Sequence, residues 1–322
     1  MTRSTRIPLN TLGIGFGLSG LAGTWTAAAS ALGAPPLAGE ALWAVAALAW
    51  AATLIRYGLG VRSPRDLAAD LRHPVLGPFA ALAPATGSLL AAHLAAYAPA
   101  AGAALVWVML AVAAAFGAWF VAALLTAPRQ AATLHGGHLL PTVAASLIAA
   151  QSLAVIGQRG AAVALLGAGV LFWLLIGAVL LARFVTGPEL PAPLLPTLAI
   201  FSAPPAVAGN AWWAIAGARP GAAHEVLAGL MVALLLPHLF LLRRYARLPF
   251  ALGFWAFTFT TAASATYGVR LLTSAAAPVA TAGAWALVAV ATAVIGGIGA
   301  RSLALLLPAR RPHGEVAPLK AA

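Results

Sequence analysis

The chain has 322 residues, 62% of them hydrophobic and only 7% charged, with a formal net charge of +12 and no cysteine. So little polar surface cannot coat a water-soluble body of this length, and without cysteine there are no disulfides, thiolate metal sites or thiol nucleophiles. The basic residues form no stripe interleaved with aromatics, which excludes nucleic acid from the expected partners and leaves the lipid bilayer.

Ten apolar stretches follow one another over 9–31, 37–58, 75–97, 100–126, 138–157, 160–184, 192–216, 221–242, 248–271 and 278–305. Each is about twenty residues or longer, the length a helix needs to cross a bilayer. No connection is long enough for a soluble domain, so residues 1–322 read as a single transmembrane domain with short tails. The fold class expected is an all-α membrane protein.

Span 1 follows Arg3 and Arg6 and ends near Ala27-Ala28-Ala29-Ser30-Ala31, which resembles a leader cleavage site. The run is long and Gly-rich, and its removal would leave an odd number of spans, so it reads as a retained helix. Within it, Gly15-Phe16-Gly17-Leu18-Ser19-Gly20 matches the dinucleotide fingerprint in letters only. That motif needs a preceding strand; inside an apolar span, its glycines point to close helix packing or a narrow pore. After span 2, Arg62, Arg65, Asp66, Asp70 and Arg72 read as a solvated, mixed-charge turn. His135-Gly136-Gly137-His138, before span 5, has no carboxylate or Cys partner, so no metal is expected there, nor any cofactor. His93 and His238 read as packed or hydrogen-bonded. No Ser-His-Asp grouping and no paired carboxylates share a plausible site, so an enzyme is not expected.

Fifteen Lys and Arg fall at the termini and in or beside the even-numbered connections, against three (Arg159, Arg219 and Arg270) in the odd-numbered ones. Basic residues stay cytoplasmic, which predicts both termini inside the cell membrane and an even number of spans. Span parity also sorts the chemistry. Ser, Thr and Pro concentrate in odd spans, with Pro78, Pro84, Pro141, Pro196, Pro204 and Pro205 among them, while Trp43, Trp50, Trp107, Trp119, Trp173 and Trp285 lie in even ones. Helix breakers and hydroxyls are tolerated where they face protein or a wet cavity. Five odd helices forming an inner ring, wrapped by five even ones, account for that parity; hydroxyls acting as glue between helices account for part of it. No Asp or Glu lies at mid-span, whereas coupled carriers usually bury charged relays there. A pore or facilitator fits better than a pump.

Several stretches resemble the tellurite-resistance/dicarboxylate transporter family, which includes plant slow-type anion channels and fungal malate and sulfite exporters. They are Thr11-Leu12-Gly13-Ile14-Gly15-Phe16-Gly17-Leu18-Ser19-Gly20-Leu21-Ala22 in span 1, Leu82-Ala83-Pro84, Leu140-Pro141-Thr142-Val143-Ala144-Ala145, and Pro196-Thr197-Leu198-Ala199-Ile200 with Ala203-Pro204-Pro205. The most telling is Phe254-Trp255-Ala256-Phe257-Thr258-Phe259 in span 9. The resemblance implies ten helices as five hairpins around a central pore, often in a homotrimer. It also implies that Phe259 plugs the pore, with Gly13 packed beside the ring; Thr260 stands where many plant members have Pro. A Phe flanked by Thr258, Thr260 and Thr261 is odd for a lipid-facing span, and a ring across a narrow pore blocks ions sterically and by dewetting. Gly17, Pro84, Pro141, Pro204 and Thr258 are the other pore-lining residues expected. The function expected is a gated channel for small inorganic or organic anions. The alternative is a secondary transporter of C4-dicarboxylates, sulfite or tellurite-type oxyanions.

Overall fold

Backbone groups in apolar surroundings must be satisfied internally, and the chain does this with helices; no strand occurs among the described residues. The computed structural model describes residues 6–127, 129–217, 220–275 and 277–305. Arg3, Arg219, Arg310, Arg311 and Lys320, which belong to the basic pattern, lie outside them.

The α-helices are α1 (Gly13–Leu32), α2 (Pro36–Gly60), α3 (Pro64–Arg72), α4 (Leu82–Leu94), α5 (Pro99–Thr126), α6 (Ala145–Val155) and α7 (Arg159–Thr186). They continue with α8 (Leu198–Ser202), α9 (Pro204–Ala216), α10 (Ala222–Leu235), α11 (Pro237–Ala246), α12 (Ala256–Thr273) and α13 (Pro278–Ala304). Seven helical segments are long and apolar enough to cross a membrane, and α3 with Gly77–Leu94, bent by 108°, makes an eighth. The segments built on α1 and α12 carry Gly, Ser and Thr where lipid-facing helices carry large apolar groups, so apolarity alone does not identify them as spans.

Burial sorts the segments. Gly136–Val155 and Ala192–Ala216 are 72% and 61% buried, whereas Pro36–Gly60, Pro99–Thr126, Arg159–Thr186, Ala222–Ala246 and Pro278–Ala304 are between 6% and 28% buried. Helices α1, α4, α6, α9 and α12 each pack on the helix that follows, α2, α5, α7, α10 and α13 respectively. They also pack on one another, in the order α1, α4, α6, α9, α12 and back to α1.

The segments of these five buried helices each open with a 3₁₀ turn: Leu9–Leu12, Gly77–Ala81, Gly136–Leu139, Ala192–Thr197 and Leu252–Trp255. Pro78 and Pro193 sit at the start of two of these turns, where a missing N–H costs little, and Pro196 lies inside the second. Pro141 falls in a π-turn, Leu140–Ala144, that joins its 3₁₀ turn to α6. The segment from Gly136 starts with a cap. His135 Nδ1 accepts from Gly137 N–H at 3.1 Å and its Nε2 meets Val75 O at 3.0 Å, so both ring nitrogens are occupied. Desolvation, and secondarily Arg183, lowers the His135 pKa to about 4 despite the bond to Val75.

Polar side chains stitch buried helices to outer ones. Trp43 Nε1 donates to Thr26 Oγ1 at 3.0 Å, Trp50 Nε1 to Ala83 O at 2.9 Å, and Trp25 Nε1 to Thr292 Oγ1 at 3.0 Å. Thr24 Oγ1 lies 2.9 Å from Thr266 Oγ1, joining α1 to α12. His93 meets Glu40 at 3.0 Å and stacks on Trp43, while His238 bonds Ser202 and Tyr245. The mixed-charge turn after α2 is in fact a helix, α3. Ser63 caps it, accepting from Asp66 N–H at 3.2 Å, and Asp70 takes Arg6 at 3.1 Å and the Tyr57 hydroxyl at 3.0 Å. This clasp ties the amino-terminal segment to α3.

Candidate functional site

The first halves of the five buried segments converge on a cavity of about 50 Å³, space for a few water-sized spheres. Asn10, Gly13 and Phe16 line it from the first segment, Phe79 and Leu82 from the second, and Leu139, Leu140, Val143 and Leu147 from the third. Ile200, Ala203, Pro204 and Val207 follow from the fourth, and Leu252, Trp255, Ala256, Phe259 and Thr260 from the fifth. The wall is almost wholly apolar. Its polar exceptions include Thr260, which donates to Ala199 O at 2.9 Å, and Asn10, whose buried Oδ1 has no partner.

Two of these lining rings, Phe16 (α1) and Phe259 (α12), stack against each other, with centroids 3.7 Å apart and planes 14° from parallel. Sequence reasoning singled out Phe259 and missed Phe16. The letters held the clue: Phe16 is flanked by Gly15 and Gly17, and Phe259 by Thr258 and Thr260.

Glycines make the approach possible. A Cβ on Gly15 would meet the Trp50 backbone at 3.1–3.2 Å, and one on Gly17 would clash with the Thr258 side chain. A Cβ on Gly20 would lie 2.9 Å from Ala262 Cβ and 3.0 Å from Phe259 Cδ2. The fingerprint-like run is therefore a helix-packing surface. Gly13 lines the cavity, but a Cβ there would meet Trp255 Cβ at 3.3 Å and Leu82 Cδ1 at 3.9 Å, with no Phe259 atom within reach. The glycine packed against the Phe259 ring is Gly20, not Gly13. That is a correction: Gly20 is two turns further along α1, a displacement that spacing alone could not resolve.

Pro204 also lines the cavity. Gly17, Pro84, Pro141 and Thr258 do not figure in its wall. Gly17 and Thr258 form the α1–α12 seam, where Thr258 Oγ1 donates to Trp255 O at 2.7 Å; Pro141 faces α5, its carbonyl lying where a Cβ on Gly117 would fall. Most hydroxyls of the buried helices likewise bond their own helix, as Ser19 does to Phe16 O at 2.8 Å and Thr261 to Phe257 O at 2.8 Å. Bonds within a helix, not a wet lining, account for them, and Thr24 and Thr260 also bond across to a neighbouring helix.

The electrostatics favour anions at the mouth of the cavity. Four of the five 3₁₀ turns there have no side-chain cap, so the positive ends of several helix dipoles gather at one end. Among the described residues, Glu40, Asp66, Asp70, Glu189 and Glu225 all lie off the cavity wall.

Five buried helical segments thus surround an apolar cavity, with positive dipole ends at its mouth. The family described as voltage-dependent anion channel (SLAC1) matches residues 6–303, nearly the whole chain. The chain belongs to that family, a multi-pass membrane family of anion transport that is also the tellurite-resistance/dicarboxylate transporter family. No curated protein matches it.

The geometry makes Gly20 a sensitive position. Gly20→Val should push the Phe259 ring aside, raise basal anion flux and cost about 1–3 kcal/mol of stability through overpacking. Gly13→Val should leave flux closer to the parent. Liposome flux assays with parallel melting curves check this; the reverse ranking would contradict the packing assignment.

Proposed function

We propose that this protein is a gated channel for small anions, in which ten helices cross the cell membrane as five hairpins and α1, α4, α6, α9 and α12 ring the pathway. The order of packing, returning from α12 to α1, supports the ring, and the basic residues beside alternate connections support cytoplasmic termini. The observation that carries the reading is the Phe16–Phe259 stack in the wall of an apolar, carboxylate-free cavity. Two rings in van der Waals contact leave no room for an ion, and the dry wall on the cavity side adds a dewetting barrier. A proton-coupled carrier would call for a titrating carboxylate in the wall, and this wall has none. The protein acts by passage rather than by enzymatic chemistry. Chloride, nitrate, sulfite and C4-dicarboxylates are the anions to compare.

Phe259→Ala tests the gate. Ala preserves helix propensity, so the variant should fold and conduct anions severalfold better than the parent in proteoliposomes. If Phe259 is ordinary core instead, truncation should cost roughly 3–5 kcal/mol and leave flux unchanged or lower. Strictly proton-coupled malate uptake without unitary conductance would replace the channel with a coupled carrier.

We also propose a homotrimer, as the family resemblance implies. Native mass spectrometry in mild detergent should show three copies; monomers alone would contradict it.

A further inference from the structure

The face of α12 that carries Phe259 continues through Ala263 and Thr266 to Arg270, at spacings of four, three and four residues. Eleven residues of helix place Arg270 about 16 Å beyond the stacked rings, on the far side from the cavity. On α9, the lining face of Ala203 and Val207 continues in the same way to Asn210. The two stripes meet there. Arg270 Nη1 donates to Asn210 Oδ1 at 2.9 Å, and Asn210 Nδ2 donates to Ala263 O at 2.8 Å and Ala206 O at 3.0 Å.

This guanidinium is half-buried and has no carboxylate partner among the described residues. Its Nε and Nη2 bond no described residue, and neither is sealed from solvent. Asn210 fixes one arm and presents the other two. A cation in a membrane-embedded bundle needs a counter-charge, and here no described side chain supplies one. The position also matters electrostatically. Arg270 lies in the last turn of α12, at the end where the buried helices present their negative dipole ends. Without a cation, that mouth would repel anions.

We infer that Arg270, oriented by Asn210, is an anion-binding site at the mouth opposite the cavity, and that the permeating anion is its exchangeable counter-ion. The planar fork suits oxyanions such as nitrate, which can accept two parallel hydrogen bonds, better than chloride. The inference rests on the channel reading for its role in conduction, but binding itself can be measured on the closed protein.

Two arms keep the failures apart. In the first, full-length protein in detergent is melted in chloride or nitrate exchanged for gluconate at constant ionic strength. The melting temperature should rise with nitrate and, less, with chloride; the rise should vanish in Arg270→Gln and shrink in Asn210→Ala. A folded Arg270→Gln that keeps the full anion-dependent rise overturns the site. In the second, carried on a Phe259→Ala background in liposomes, Arg270→Gln should raise the half-saturating anion concentration fivefold or more for entry from the Arg270 side. Failure of Phe259→Ala to conduct sinks the channel reading and leaves the binding arm standing. If Arg270→Gln does not fold, Arg270→Lys decides: the point charge should keep chloride binding and lower the nitrate-to-chloride preference at least threefold. An unchanged preference overturns the proposal.

Discussion

Close approach of α1 to its neighbours is the constraint on which the rest of the structure depends. Lipid tails are as apolar as leucine, so helices in a membrane gain little from burying apolar surface against each other. They associate through close packing and hydrogen bonds, and small residues permit both. Gly15 lets the α2 backbone at Trp50 come within the distance of a missing methyl group, and Gly17 and Gly20 do the same for α12. Only with α1 seated this deeply can the rings of Phe16 and Phe259 stack at 3.7 Å. Had any of these positions a side chain, α1 would stand off and the cavity would open beside it.

That constraint divides the labour between helices. The segments of α1 and α12 carry Gly, Ser and Thr and fall short of the hydropathy that marks a span, whereas Gly136–Val155 and Ala192–Ala216 keep it although buried; the outer helices keep it with most of their residues outside the core. Most hydroxyls on the buried helices return their hydrogen bonds to their own turns or across seams, with Thr86, Thr142, Ser152 and Ser264 left without a partner, and indole N–H groups reach in to meet some of them, as Trp43 meets Thr26. Polar groups that look like a wet lining in the sequence are thereby consumed in structure. What remains exposed to the cavity is apolar, which suits a barrier better than a binding site. Attraction for anions comes instead from the backbone, through the uncapped 3₁₀ starts, and at the opposite end from Arg270.

Much of this was legible in the letters, unevenly. Long apolar runs such as Pro99–Thr126 announce themselves, and the parity of Ser, Thr and Pro separates buried from outer helices in the letters alone. Phe259 was marked by its hydroxyl neighbours and by family resemblance. The rest needed three dimensions. Phe16 lay hidden in a motif read for its glycines. The choice between Gly13 and Gly20 depends on how far α1 slides along α12, which no spacing encodes. Helix α3 was read as a turn although Ser63, Pro64 and Asp66 spell a capped start. Arg270 was counted as a connection charge because its sequence position sits near a span end; only the Asn210 contact shows that it turns inward.

The central claim is that the paired rings separate two compartments of one pathway. The chain has no cysteine, so a single introduced thiol reports without background. Ala263→Cys places it one turn beyond Phe259 on the same helix face, and an anionic methanethiosulfonate is added from the cavity side. The account predicts slow modification with both rings present and at least tenfold faster modification when Phe259→Ala is added. Equal rates in the two backgrounds would contradict it.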